Sequence, residues 1–199
     1  SAATQNLSLG SATAGTGFNL GIGADQNWNV ASGRTVTAGQ NGGTLTLSNK
    51  LTLNGAGQVN LGGTGASTLT GSGEIVVSSG ILQNNMQTGS SASGRSGATT
   101  LGGGTLSIAT GISMFGTGAI NLNSGSIGSF SGTGRDLGTA NAVNIGGNVQ
   151  IGGSVTNVLG SGYVRFGGAT DLGGSVRTIT TIASSVFTNN GAGAIFNGI

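Results

Sequence analysis

Gly43-Thr44-Leu45-Thr46-Leu47-Ser48-Asn49-Lys50-Leu51-Thr52-Leu53-Asn54-Gly55-Ala56-Gly57-Gln58-Val59-Asn60-Leu61-Gly62-Gly63 states one phrase three times. In each version an apolar residue alternates with Thr, Asn or Gln, and small residues follow. Alternation with a period of two is the pattern of a strand buried on one side. Each strand is too short to cover its own apolar face, and the turns between strands are too small to hold a helix. Short units of this kind find a core only by stacking in series, which predicts a solenoid.

The phrase returns along the chain as Thr105-Leu106-Ser107-Ile108, Ile120-Asn121-Leu122-Asn123, Val143-Asn144-Ile145-Gly146-Gly147 and Val149-Gln150-Ile151-Gly152-Gly153. The alternation aims Leu45, Leu47, Leu53, Val59, Leu61, Ile120, Leu122, Val143, Ile145, Val149 and Ile151 inward. Leu45 to Leu69 and Leu51 to Ile75 are both 24 positions; Val143 to Val164 is 21, and Val149 to Leu172 is 23. A parallel β-helix of 21–24 residues per coil follows, with three short strands per coil and corners of Gly, Asn or Ser. Glycine and asparagine suit those corners because they tolerate positive φ. An antiparallel sandwich is the competing all-β reading, and it asks for Asn-Gly or Asp-Gly hairpin turns. Asn54-Gly55 and Asn190-Gly191 occur, but most corners read Gly-Gly or Gly-Ser-Gly.

Composition agrees with a stacked chain. The 199 residues include 44 Gly and no Pro, and only 5% are charged, against about 25% in an ordinary domain. A mean hydropathy of +0.18 argues against the disorder that so much Gly would otherwise suggest. Proline cannot donate to a ladder, so a chain paired on both sides along its length has little room for it. One elongated domain over residues 1–199 is expected. It comprises less regular coils over 1–42, regular coils over 43–128, and Gly-Gly-rich coils over 129–199. Two stretches break the alternation. Residues 83–99 read as a polar loop, and residues 129–142 as a shorter excursion with Arg135 and Asp136 solvated at a corner.

The residues that carry most enzyme chemistry are missing. There is no His and no Cys, so a Ser or Cys nucleophile lacks its usual base and thiolate metal sites are excluded. The four acids, Asp25, Glu74, Asp136 and Asp171, lie 49, 62 and 35 positions apart, which spreads them over separate coils. A paired-carboxylate site of the glycosidase kind needs them close together. The expectation is therefore no catalytic site, no cofactor and no metal site. Gly21-Ile22-Gly23-Ala24-Asp25 approaches a calcium-binding repeat only once. The basic residues, at 34, 50, 95, 135, 165 and 177, form no cluster, so no nucleic-acid partner is expected. No apolar run approaches 18 residues, so insertion into a membrane is not expected.

The second half resembles a known family. The carrying residues are Arg135-Asp136-Leu137, the run from Asn141 to Gly153, Val164-Arg165-Phe166, and Asp171-Leu172-Gly173-Gly174-Ser175-Val176-Arg177-Thr178-Ile179-Thr180. Together with Leu101-Gly102-Gly103-Gly104-Thr105-Leu106 and Ile120 to Gly125, they are similar to the autotransporter-associated β-strand repeat. The resemblance covers roughly residues 43–199. It implies a parallel β-helix exported to the bacterial surface or medium, and it supplies no catalytic residues.

Residues 1–24 and 178–199 contain no charged side chain. An exposed solenoid end is normally blunted by a cap, a charge or Pro. Uncharged ends point to head-to-tail contacts between identical chains, through Leu7, Leu9, Phe18 and Leu20 at one end and Val186, Phe187, Ile195 and Phe196 at the other. The functional expectation is a structural subunit of an extracellular filament or sheath. Its start, Ser1-Ala2-Ala3, suits a removed secretory signal. The alternatives are a stalk or adhesin passenger fragment, whose partner would be a host surface, and a β-helix that binds or cleaves surface polysaccharide.

Overall fold

The computed structural model describes residues 5–10, 13, 16–62, 67–84, 91–109, 115–130, 133–137, 141–152, 162–166, 168–182 and 194–196. They form a parallel β-solenoid with no α-helix among them. The first three strands are β1 (Leu7–Leu9), β2 (Leu20–Ile22) and β3 (Gln26–Val30). Next come β4 (Thr35–Ala38), β5 (Thr44–Leu47), β6 (Leu51–Gly55), β7 (Gln58–Leu61), β8 (Thr68–Gly71), β9 (Ile75–Val77), β10 (Ile81–Asn84) and β11 (Ser91–Arg95). Two ten-residue strands follow, β12 (Thr99–Ile108) and β13 (Ile120–Ser129). The rest are β14 (Arg135–Asp136), β15 (Val143–Ile145), β16 (Val149–Ile151), β17 (Val164–Phe166), β18 (Thr170–Asp171), β19 (Ile179–Thr181) and β20 (Ala194–Phe196).

Three strands make a coil, so the strands fall on three faces. Face one carries β3, β6, β9, the first halves of β12 and β13, β15 and β18. Face two carries β1, β4, β7, β10, the second halves of β12 and β13, β16 and β19. Face three carries β2, β5, β8 and β11 in one sheet and β14, β17 and β20 in another. Every pairing is parallel, and the register builds columns of like residues along the axis. One inward column reads Trp28, Leu53, Val77, Leu101, Leu122, Ile145. Another reads Leu7, Val36, Val59, Leu82, Leu106, Ile127, Ile151, Thr181. All eleven residues aimed inward by the alternation are buried. Burying one such side chain contributes about 1.5–3 kcal/mol.

The outward positions hold polar columns. Asn144 Nδ2 donates to Asn121 Oδ1 at 2.8 Å, Asn121 Nδ2 to Thr100 Oγ1 at 3.1 Å, and Thr100 Oγ1 to Glu74 Oε1 at 2.6 Å. On the neighbouring faces the Thr46 and Thr70 hydroxyls share a hydrogen bond at 3.1 Å, and Gln58 Nε2 donates to Gln83 Oε1 at 2.6 Å. Parallel stacking repeats each position, so one polar side chain finds its partner on the next coil.

At one corner, glycine is required by close approach. A Cβ on Gly73 would lie 2.1 Å from the Asn49 carbonyl oxygen, one on Gly97 2.0 Å from that of Gly73, and one on Gly118 1.9 Å from that of Gly97. Asn141 closes this column: its Nδ2 donates to the carbonyls of Gly118 at 2.7 Å and Gly116 at 3.1 Å.

Three expectations are corrected. Within residues 83–99 the described ones are largely strand: Gln83 and Asn84 end β10, Ser91–Arg95 form β11, and β12 begins at Thr99, while residues 85–90 lie outside the described residues. The neighbouring β8 imposes this strand through the backbone, with a register shift between Ser91 and Gly94, so no apolar alternation was needed. Arg135 is not solvated at a corner. It lies in β14 opposite Val164, half-buried, and its Nε donates to the Ile108 carbonyl at 3.2 Å. The period of 24 holds from Thr44 to Thr68 and from Leu51 to Ile75, but it lengthens toward the C-terminal end. There Val143 stands opposite Thr170, 27 residues on, and Val149 opposite Ile179, 30 residues on.

Candidate assembly surfaces at the two solenoid ends

The first coil is fastened to the second by its corners. Asn6 Oδ1 accepts the Thr35 N–H at 3.0 Å, Asn19 Oδ1 the Thr44 N–H at 2.9 Å, and Asp25 Oδ1 the Lys50 N–H at 3.0 Å. Each is a residue just before a strand, bonded to the residue in register one coil on. Asp25 thus accepts across a coil boundary rather than within its own turn, and its other carboxylate oxygen lies 3.8 Å from the Lys50 ammonium.

No described strand pairs on the opposite side of that coil. Among the described residues, β1 pairs only with β4, β2 only with β5, and β3 only with β6. Leu7 is 52% exposed and Phe18 51% exposed, while Leu9 and Leu20 are partly buried against the core. The other end repeats the situation: β18 pairs only with β15, β19 only with β16, and β20 only with β17. Leu172 and Val176 lie exposed between β18 and β19. Ile195 and Phe196 fall in β20, opposite Arg165 and Phe166. Val186 and Phe187 lie outside the described residues.

At both ends the described strands run in the same direction, and their outer edges pair with no other described strand. One end of such a ladder is a template for the other. Their charges are unevenly placed. Asp25 precedes β3, Asp171 lies in β18, and Arg177 comes just before β19, its Nε donating to the Ile145 carbonyl at 3.3 Å. The edges β1, β2, β19 and β20 carry none.

The largest fully buried side chain carries no signal in the sequence. Arg95 is fully buried. Its guanidinium donates to Thr99 Oγ1 at 2.9 Å and to the carbonyls of Gly73 and Ala98, while its Nε has no partner among the described residues. Burial pushes its pKa down to about 10, and the charge of Glu74 offsets part of that loss. No alternation signalled it; the only available hint was a lone Arg among Ser and Gly.

The rest of the described surface offers little for chemistry. No group of three or more His, Cys, Asp or Glu that could hold a metal occurs among the described residues. A small, partly open hollow lined by Ala38, Leu45, Leu61, Ser67 and Leu69 measures about 10 Å³, room for a single water. Among the described residues no helix is long and apolar enough to cross a membrane. No family model matches the chain, and no curated protein or solved structure matches it significantly. What the geometry defines, among the described residues, is a parallel β-solenoid whose end strands pair on one side only.

Proposed function

We propose that this chain is a non-catalytic structural subunit of an extracellular bacterial filament or sheath, and that it assembles with identical copies end to end. The reading is supported by one observation above others: at both ends the described strands pair on one side only, in the same direction, with uncharged edges on β1, β2, β19 and β20. Each ladder bond made across a junction adds about 0.5–1.5 kcal/mol net. Apolar stacking of exposed Leu7 and Phe18 adds to it. A head-to-tail contact that does not close on itself produces an open filament. The extracellular placement draws on the resemblance to exported repeats.

Electron microscopy of the purified 199-residue chain, with sedimentation over a range of concentrations, tests the reading. Unbranched fibres one solenoid wide are expected. A chain that stays monomeric at the highest concentration overturns it, as do fibres held only by side-to-side contacts.

A further inference from the structure

On face three, β5 and β8 set two copies of one pattern side by side: Thr44-Leu45-Thr46-Leu47-Ser48 and Thr68-Leu69-Thr70-Gly71-Ser72. The register pairs Thr44 with Thr68 and Thr46 with Thr70. The same offset of 24 still holds at Leu51 and Ile75, which sets Ser72 beside Ser48. Leu45 and Leu69 are buried beneath, while the threonines between them stand half-buried on the outside and both serines are exposed. Every outward position of the patch is therefore a hydroxyl. The Thr46 and Thr70 hydroxyls share a hydrogen bond at 3.1 Å, and those of Thr44 and Thr68 bond to no described protein group.

Strand geometry turns the pattern into a grid. Neighbouring strands lie about 4.8 Å apart, and alternate residues of one strand about 6.7 Å apart. Both repeats are near those of the oxygen atoms on a prism face of hexagonal ice. Threonine is stiff about χ1, so its hydroxyl and methyl keep fixed directions. A hydroxyl both donates and accepts, as a water molecule does. No charge interrupts the grid: Lys50 and Glu74 come only at the corner beyond Ser48 and Ser72.

We propose that face three at β5 and β8 orders water into an ice-like layer and adsorbs to the surface of ice. The outward positions hold no charge to attract an ion and no aromatic ring on which a sugar could stack. The surface is complete within a single chain, so it stands apart from the end-to-end reading. Its limit is visible one coil earlier. Gly21 continues the Thr46–Thr70 column without a hydroxyl, and a Cβ built on it meets nothing within 4 Å. Gly21→Thr should therefore extend the grid without a clash.

Ice recrystallisation in frozen sucrose, and the shape of single ice crystals grown in the protein solution, test the proposal. The parent chain is expected to slow recrystallisation and to facet the crystals. Thr46→Lys, which puts a charge in the middle of the grid, should abolish both effects. Asn144→Lys puts the same charge on an exposed position of face one and should leave them unchanged. Gly21→Thr should strengthen them, a gain that a merely structural role for the threonines would not give. Circular dichroism confirms that each variant is folded, and if Thr46→Lys is not, Thr46→Val takes its place with a partial loss expected. A parent chain without effect on ice overturns the proposal. So does a folded Thr46→Lys variant with full activity, an equal loss in Asn144→Lys, or no gain from Gly21→Thr. Retention on crystalline cellulose or chitin without any effect on ice would assign the grid to a polysaccharide and overturn it as well.

Discussion

The Arg95 guanidinium donates to the Thr99 hydroxyl at 2.9 Å from a position with no solvent exposure, four residues earlier in the same chain. The pair lies where β11 turns into β12, inside the corner bounded by Gly73 and Ala98.

Burying that cation costs stability. A pKa pushed down to about 10 in the folded chain, below the ordinary guanidinium value, corresponds to roughly 3 kcal/mol. Because the folded value is the lower one, the unfolded chain binds more protons above about pH 10, and stability from this group rises with pH there. Below about pH 10 the penalty is present in full. Arg95→Met, which keeps the volume, should match or exceed the parent in urea denaturation at pH 7, and its advantage should shrink at pH 11. Arg95→Ala should fall below Arg95→Met by about 2–3 kcal/mol, because it leaves a cavity. An Arg95→Met variant several kcal/mol less stable at pH 7 would show that the hydrogen bonds outweigh the desolvation.

Gly97→Ala should be among the most damaging small substitutions. The added methyl would stand 2.0 Å from the Gly73 carbonyl oxygen, and the backbone there is fixed from both sides. We expect loss of more than about 3 kcal/mol or failure to fold. Gly23→Ala meets nothing within 4 Å and should change stability by less than about 0.5 kcal/mol. Thermal unfolding of the two variants side by side gives the comparison.

Neighbouring residues of one strand should respond differently. Leu122→Ala removes a fully buried side chain and should cost about 2–5 kcal/mol. Asn121→Ala, one position earlier and facing outward, removes a bond to Thr100 and one from Asn144, at about 1 kcal/mol. Equal losses would mean that the polar column contributes as much as the core.

End-to-end assembly should persist at 1 M salt, where charge interactions are screened within about 3 Å but ladder bonds and apolar stacking are not. Leu7→Lys should leave the fold intact, since Leu7 is already half exposed, and should reduce fibre formation sharply by placing a charge at an edge that must be buried. Fibres that dissolve in salt, or that form unchanged with Leu7→Lys, would point to a different contact surface.

The central coils could be read from the sequence because every rule there agrees. From Leu45 to Leu61 the alternation, the small-residue corners and the constant spacing all demand the same stack. The reading weakened where the backbone alone sets the structure. β11 carries Ser91-Ala92-Ser93-Gly94, which has no alternation, and it pairs because β8 lies beside it. Val164 was placed against Val143 by its repeated sequence, but the corner segments lengthen and it pairs with Arg135. The outermost segments, residues 1–24 and 178–199, are legible as uncharged, but which strand each end strand pairs with is not, because the coil lengthens there and shifts the register.

The glycine column also determines how the molecule comes apart. Gly73, Gly97 and Gly118 hold successive carbonyls so close that no coil can slide against its neighbour without breaking contact entirely. Each coil touches only the one before and the one after, so detachment proceeds from an extremity inward, a whole coil at a time. What is left after each loss is a shorter rod with the same shape of edge. A detached coil returns to a mould made of its own neighbour, and a pulled rod should lengthen in discrete steps, longer for the C-terminal coils than for the central ones.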